Sequence, residues 1–235
     1  MNRDDERTLL KAGSIAVEGR VRGSSNQALL VTVSLDGVDV QACYKAEAGE
    51  RPLWDFPDGL WRREVGAYEL DRLLETDLVP TTVARDDAPF GVGSLQLWVN
   101  DNLEDHYFTL RERPELYDWF SELAAFDVVA NNADRKAGHV VFDGERCWAI
   151  DNGLCFHEQD KLRTVVWEYA GLDIVAHLLE RLELFARGDG GDLALWLSPH
   201  ELALAQHRAH ALVESSAYPT PDEDREWPPY PWPLI

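Results

Sequence analysis

The sequence predicts an α+β protein with two lobes. Residues 1–100 are expected to form an antiparallel sheet with one helix, and residues 101–235 a mainly helical lobe with one hairpin. Runs rich in β-branched residues, separated by turn residues, fill the first hundred positions. From residue 114 onward, apolar residues recur at helical spacing instead. We expect a hinge near residue 100 and a ligand in the cleft between the lobes.

Five strands and one helix are predicted in the first lobe. The strands cover 14–21, 27–35, 38–45, 81–85 and 94–100, and the helix covers about 60–75. Asp36-Gly37 favours a two-residue turn between the second and third strands. Ala42 and Tyr44 alternate along the third strand and share one face, so Lys45 is expected on the opposite face.

The second lobe is predicted to hold three helices and a hairpin. Apolar residues at helical spacing between 116 and 126 define the first helix, and 165–188 predicts a second, long one. Ser198 has Glu201 three residues later, which is the pattern of a capping box at the start of a third helix. The hairpin turns at Asp143-Gly144.

The C-terminal segment, residues 219–235, differs in composition from the rest of the lobe. It is rich in proline, which lacks the backbone N–H that a helix interior needs. It also carries large apolar and aromatic side chains, so we expect it to pack back onto the body of the protein.

The acidic composition excludes several classes of partner. The chain of 235 residues has a net charge of −21, with 43 Asp and Glu against 22 Lys and Arg. Nucleic acid and anionic lipid also carry negative charge, so we expect no nucleic-acid partner and no docking on an anionic membrane.

A cytoplasmic location is predicted from three further features. The three cysteines form no C-x-x-C pair, which is typical of free thiols in a reducing compartment. The N-terminus is charged from its start and lacks the apolar core of a secretory signal. Finally, no apolar run approaches the roughly 18 residues of a membrane-spanning helix, so no transmembrane segment is expected.

Four charged residues occupy positions that suit phosphoryl transfer. Lys45 ends the third strand, and Glu64 lies near the start of the first lobe's helix. Asp134 follows the second lobe's first helix, and Asp151 follows the hairpin. Phosphoryl transfer requires a cation on the phosphates, a carboxylate that holds this cation, a carboxylate that orients the attacking hydroxyl, and ligands for a metal ion.

Residues 132–153 resemble the catalytic segment of the atypical kinases, above all the phosphatidylinositol 3- and 4-kinases and, more distantly, the HipA-type kinases. In that family an Asn/Gly-x-Asp-Arg-His loop precedes a metal-binding Asn, a hairpin and Ile-Asp-x-Gly. Here the loop reads Asn-Ala-Asp-Arg-Lys at 132–136, and Ile-Asp-Asn-Gly stands at 150–153. The chain is also similar to a small actinobacterial-type branch related distantly to those lipid kinases. The resemblance implies a two-lobed protein-kinase-like fold that uses ATP with Mg²⁺ or Mn²⁺.

The resemblance also implies a role for each matching residue. Asp134 would accept or orient the proton of the attacking group, and Asp151 would hold the metal across the phosphates. Lys45 would contact the phosphates and be held by Glu64. The remaining nucleotide-binding residues that it implies are Ser24, Ser25 and Asn26 in a loop over the phosphates, with Gln96, Trp98 and Val99 beside the adenine.

Two positions depart from the family pattern. Lys136 stands where the family has histidine, and it can still stabilise developing phosphate charge as a point cation. His139 stands five residues after Asp134, where the family has its second metal ligand, asparagine. Imidazole suits Mn²⁺ better than Mg²⁺, so we expect a preference for Mn²⁺.

Other interpretations of the same residues remain open at this level. Asp134 and Asp151 each fit an ordinary turn. Lys45 and Glu64 fit solvated positions, and His139 fits a capping or core histidine.

The predicted activity is transfer of the γ-phosphate of ATP to a hydroxyl of a protein or small-molecule acceptor. The chain is far shorter than most lipid kinases, and its acidity disfavours docking on anionic membranes. An inositol lipid is therefore not favoured as acceptor over a protein side chain or a soluble small molecule. One alternative is a nucleotide-binding pseudokinase or regulatory module, motivated by Lys136 and His139. The other is a kinase-fold enzyme that transfers AMP.

Overall fold

The computed structural model describes residues 1–21, 27–100, 104–222, 224 and 227–235. It confirms the predicted α+β class, with an antiparallel sheet in the first part of the chain and helices in the second. The predicted hinge falls on residues 101–103, outside the described ranges, so the boundary between the lobes stays a prediction. No helix in the described ranges is both long and apolar enough to cross a bilayer.

The sheet has five antiparallel strands in the order β1-β2-β3-β5-β4. The strands are β1 Ser14–Arg20, β2 Leu29–Leu35, β3 Val38–Ala46, β4 Thr82–Arg85 and β5 Gly93–Leu97. Asp36 and Gly37 both have positive φ, 51° and 81°, which confirms the two-residue turn between β2 and β3. Ala42 and Tyr44 are buried on one face of β3, and Lys45 lies on the other face.

The described residues of the first lobe form two helices, one more than the single helix predicted. The helix that the prediction missed, α1 Arg3–Ala12, precedes the sheet. The Asn2 side chain caps it by accepting a hydrogen bond from the Asp5 amide at 2.9 Å, and Leu9 and Leu10 are its buried residues. Seven of its ten residues are charged or polar, a composition that is also typical of a solvated N-terminal segment.

The predicted helix, α2 Leu60–Leu74, is buried along most of its length. It contacts β4 and β5 on one side and the helical part of the chain on another. Gly66 permits this close approach, since a Cβ there would lie 3.4 Å from the side chains of Phe156 and Leu193. The buried helix therefore joins the sheet to the second lobe and carries Glu64 into the cleft between them.

The second lobe consists of helices and one small hairpin. Its helices are α3 Tyr107–Leu110, α4 Tyr117–Ala130, α5 Ala176–Arg187 and α6 Pro199–Ser215, and its strands are β6 Val140–Phe142 and β7 Cys147–Ala149. The hairpin at Asp143-Gly144 is confirmed by the antiparallel pairing of β6 with β7. The capping box is confirmed as well, because Ser198 and Glu201 exchange hydrogen bonds between side chain and backbone.

The predicted long helix at 165–188 was wrong over its first half. The helix covers only Ala176–Arg187, because tertiary contacts take the backbone hydrogen bonds of the preceding segment. Gly171 has φ +74° and donates its amide to the Tyr218 carbonyl at 3.0 Å. The tail packs here as expected, since the Pro229 carbonyl accepts from the Thr164 amide at 3.1 Å.

Candidate active site

A cavity of about 260 Å³ lies between β3, the start of α2 and the loops on either side of the β6–β7 hairpin. It is lined by Lys45, Glu64, Asp134 and Asp151, together with Gln27, Ala28, Ala46, Gly49, Glu50, Arg51, Leu53, Leu60, Trp61, Gly153 and Leu154. The four charged residues singled out in the sequence thus meet in one place. The volume is just below the range of about 300–1,000 Å³ that is usual for small-molecule sites.

Lys45 is the central cation of this cavity. Its ammonium contacts a carboxylate oxygen of Glu64 and lies 2.7 Å from Asp151 Oδ1. Burial alone would lower the pKa of Lys45, but the charges of Asp151 and Glu64 more than offset it and raise the pKa above its ordinary value. Lys45 is therefore a permanent positive charge at neutral pH.

Glu64 anchors both the lysine and the corner after the hairpin. One carboxylate oxygen contacts Lys45, and the other accepts the Asn152 amide at 3.0 Å. The helix approaches this corner closely, since a Cβ on Gly153 would lie 3.3 Å from Glu64 Oε1. This contact ties the position of Asp151 to that of α2.

Asp151 stands in a left-handed backbone conformation, with φ 56°. The charge of Lys45 lowers the pKa of Asp151 well below its usual range. Asp151 is therefore an anion at all physiological pH values, as a metal ligand must be.

Asp134 lies in the loop that follows α4. Its amide donates to Asn132 Oδ1 at 2.9 Å, and its Oδ2 lies 2.9 Å from the Lys136 ammonium. Burial raises the pKa of Asp134, although the hydrogen bond and charge of Lys136 act in the opposite direction. A carboxylate with a raised pKa is a better proton acceptor than one in water.

His139 lies beside Asp151, with Nε2 3.4 Å from Asp151 Oδ2. Burial lowers the pKa of His139 to about 4, so the imidazole is neutral at pH 7 and keeps a lone pair for a metal. Its Nδ1 is buried and has no hydrogen-bond partner among the described residues.

His139 and Asp151 are two neighbouring side chains that could hold a metal. The described part of the chain holds no group of three or more His, Cys, Asp or Glu side chains suited to a metal. Mg²⁺ and Mn²⁺ sites of kinases commonly combine one or two protein ligands with phosphate oxygens and water. An imidazole beside a carboxylate fits such a partial set.

A buried ion pair between Arg135 and Asp127, which the sequence analysis did not predict, lies next to the candidate site. Arg135 and Asp127 lie 3.1 Å apart with both side chains fully buried. Arg135 also donates to the Ile150 carbonyl at 2.9 Å and to the Asn152 side chain. The pair joins the end of α4, the Asp134 loop and the corner at Asp151. The signal that could have found it is Asp127, a lone carboxylate in an otherwise apolar helical stretch.

Three of the predicted nucleotide-binding residues lie outside the lining of this cavity. Gln96 donates its side-chain amide to Thr82 Oγ1 at 2.9 Å, and the Trp98 amide donates to the Gln41 carbonyl at 2.9 Å. Val99 follows the end of β5, which is shorter than predicted. Ser24, Ser25 and Asn26 lie outside the described residues. The roles of all six stay predictions.

Comparison with known proteins identifies one close relative by sequence. No model of a known protein family matches the chain. The Mycobacterium tuberculosis protein Rv2133c is 37% identical over 273 aligned positions, which cover 99% of this chain and 96% of that protein. The chain belongs to the Rv2133c family.

The fold of this Rv2133c-family protein is similar to those of two solved structures. Hydra Fam20, solved with sugar, has a TM-score of 0.52 at 12% identity, covering 89% of this chain and 87% of that one. The Helicobacter pylori proinflammatory kinase CtkA has a TM-score of 0.50 at 10% identity, covering 89% and 94%. At such low identities the likeness concerns the fold alone, and it confirms the kinase-like fold of the chain.

Proposed function

We propose that this protein is an ATP- and divalent-metal-dependent phosphotransferase of the atypical kinase type, similar to the phosphatidylinositol 3- and 4-kinases. The observation that carries the proposal is the position of Lys45, which contacts Glu64 and Asp151 in one cavity. A cation held between a helix carboxylate and a metal-binding carboxylate is the arrangement that kinases use to bind phosphates. The kinase-like fold supports the same conclusion.

In the proposed reaction an acceptor hydroxyl oxygen forms a new bond to the γ-phosphorus of ATP. The bond from that phosphorus to the β,γ-bridging oxygen breaks, and ADP leaves with the electron pair. The hydroxyl proton passes to the carboxylate of Asp134, whose raised pKa suits it to receive a proton, and then to solvent. Lys45 and Lys136 supply positive charge beside the phosphates.

Asp151 and His139 are the residues that would hold the divalent metal. A bound metal supplies positive charge that neutralises the triphosphate. The neutral imidazole and the ionised carboxylate of these residues fit Mn²⁺ in particular.

The wider assignment follows the same scheme. Residues 1–100 would form the nucleotide-binding lobe and residues 101–235 the catalytic and metal-binding lobe. Residues 24–26 would cover the phosphates, and the segment from Gln96 to Val99 would lie beside the adenine. Cys43, Cys147 and Cys155 are free thiols, which supports a cytoplasmic location.

The proposal is tested by incubating the protein with γ-labelled ATP and Mn²⁺. We expect autophosphorylation or slow ATP turnover that is abolished in Asp134→Ala and in Asp151→Ala. Asp39→Ala serves as the control, because Asp39 is exposed on the sheet, away from the cavity. Turnover that persists unchanged in both site variants would refute the assignment.

A second candidate function, nucleotide binding without turnover, is favoured by one observation. The Lys136 ammonium lies 2.9 Å from Asp134 Oδ2, where it competes for the carboxylate that would receive the proton. A pseudokinase would be stabilised by ATP against thermal unfolding and would release no labelled phosphate. Lys136→His introduces the histidine that the phosphatidylinositol 3- and 4-kinases have at this position. This variant should raise turnover if the protein is a phosphotransferase and should show no turnover if it is a pseudokinase.

A further inference from the structure

A second cleft, with a volume of about 1,250 Å³, lies beside the cavity described above. It is bounded by the segment before α2, the start of α2, residues 157–163, the start of α6 and the tail at 227–228. The volume exceeds the range of about 300–1,000 Å³ for ordinary small-molecule sites, so the cleft has room for a molecule of that class.

The loop that carries Asp134 is bonded to the lining of both spaces. The Ala133 amide donates to the carbonyl of Leu154, which lines the smaller cavity, at 2.8 Å. The Asn132 carbonyl accepts from the amide of Arg163, which lines the larger cleft, at 2.9 Å. The positive charge of Arg163 also acts to lower the pKa of Asp134. The Asp134 loop therefore links the lining of the larger cleft to the proposed proton acceptor.

Two cations of the cleft have no ion-pair partner in the part of the chain that the structure describes. Its lining carries four Lys or Arg and four Asp or Glu, namely Arg62, Arg63, Lys161, Arg163, Asp55, Glu158, Asp160 and Glu201. Arg63 pairs with Glu201, and Lys161 lies 3.0 Å from Asp55. Among the described residues no carboxylate lies within 4 Å of the guanidinium of Arg62 or Arg163.

This lack of partners is unexpected in so acidic a chain. Asp and Glu outnumber Lys and Arg by 43 to 22, so carboxylates are available for most cations. Arginine binds carboxylate and phosphate groups through its planar set of N–H donors. Two half-buried guanidinium groups on one cleft thus form a site for an anion that none of the described residues supplies.

Aromatic rings complete the cleft at its rim. The rings of Trp54 and Trp227 lie 5.9 Å apart, and Trp54 is 83% exposed. The Arg163 guanidinium lies 5.7 Å from the Trp227 ring. Exposed tryptophan faces beside a cation bind molecules that combine a ring-shaped apolar face with a polar or charged group.

We propose that this cleft binds the phosphate acceptor, and that the acceptor is a small hydroxylated molecule with a ring and an anionic group, either carboxylate or phosphate monoester. Arg62 and Arg163 bind the anionic group, and Trp54 and Trp227 contact the ring. Where the two spaces adjoin at the edge of the Asp134 loop, the hydroxyl reaches Asp134 and the γ-phosphate. This inference rests on the proposed phosphotransferase function.

Calorimetric titration tests the inference on the full chain. The protein is first saturated with a non-hydrolysable ATP analogue and Mn²⁺, so that the smaller cavity is filled. It is then titrated with glucose 6-phosphate, glucuronate, neutral glucose and an acidic serine-containing peptide. We expect one or both anionic sugars to bind at least about tenfold more tightly than glucose, which corresponds to a hydrogen bond with a charged group. The two anions distinguish a phosphate from a carboxylate ligand.

The Arg62→Gln/Arg163→Gln double variant should weaken binding of the anionic sugar about tenfold or more, and Arg163→Lys should retain part of the affinity. Arg187→Gln, at an exposed arginine outside the cleft, is the matched control and should bind as the wild type does. Binding of the ATP analogue confirms that each variant is folded. Failure of the wild type to bind the analogue refutes the phosphotransferase proposal separately.

Three results would overturn the acceptor assignment itself. These are no binding of either anionic sugar, undiminished binding in the double variant, and tighter binding of the peptide than of both sugars.

Discussion

The ammonium of Lys45 lies 2.7 Å from Asp151 Oδ1, so a cation at the end of β3 meets the carboxylate that follows the β6–β7 hairpin. The two residues are 106 positions apart in the chain, and Glu64 contacts both the lysine and the backbone next to Asp151. Three separate elements therefore determine the geometry of one site. A substitution in any one of these elements is expected to shift the site residues carried by the other two.

Lys45→Met should lower ATP turnover about 100-fold or more, the magnitude that loss of a charged donor at a reacting group commonly produces. The substitution removes the cation from the phosphates and leaves Glu64 and Asp151 without their common partner. Turnover is measured with γ-labelled ATP under conditions that saturate the wild type. Lys11→Met, at an exposed lysine of α1, is the control and should not change turnover. Equal turnover in the Lys45 variant and the control would show that Lys45 does not bind the phosphates.

His139→Asn should change the metal preference of the reaction. We expect the wild type to be more active with Mn²⁺ than with Mg²⁺ at matched concentrations, because imidazole is a poor ligand for Mg²⁺. Asparagine supplies an oxygen donor and should raise the Mg²⁺ rate relative to the Mn²⁺ rate. Equal wild-type rates with the two metals would contradict the role of His139 as a ligand.

Arg135→Met should destabilise the protein by about 3–5 kcal/mol, since it leaves the carboxylate of Asp127 buried without its charge partner. The free energy of unfolding is measured by urea denaturation. The double variant Arg135→Met/Asp127→Leu removes both charges and should lose less than the sum of the two single variants. Additive losses would mean that the two residues do not act as a pair.

Gly93→Ala should destabilise the sheet beside Lys45 by about 1–3 kcal/mol, as overpacking does. A Cβ at this position would lie 2.8 Å from the Cα of Ala46 and closer still to the Lys45 carbonyl, and neither backbone atom can move aside. Gly19→Ala in β1 is the matched control, because its Cβ would meet no atom within 4 Å. Thermal unfolding of both variants checks the prediction, and equal melting temperatures would contradict it.

The strands and turns of the first lobe could be predicted because their signals are local. Asp36-Gly37 specifies its turn by backbone conformation, and alternation along β3 places Lys45 on its face. The helix α1 was missed because its buried surface is limited to Leu9 and Leu10. Its Asn2 cap and acidic first turn were the available signals, and they are weaker than periodicity.

The long-range features could not be read from local patterns. The segment before α5 has apolar residues at helical spacing, but its backbone bonds to residues 216–218 and to Arg135 instead. Sequence motifs indicated Asp134 and Asp151 as site residues. No local sequence pattern indicated that Asp127 pairs with Arg135 next to them. Buried ion pairs have no sequence period, so they become visible only when the helix and the loop are placed together.

The most direct test of the central claim is a crystal structure of the protein with a non-hydrolysable ATP analogue and Mn²⁺, with the metal located by its anomalous scattering. We predict that Mn²⁺ is bound by Asp151 and His139, that the Lys45 ammonium contacts a phosphate oxygen, and that Asp134 faces the γ-phosphate. A nucleotide bound away from Lys45, or a metal bound by neither Asp151 nor His139, would contradict the account.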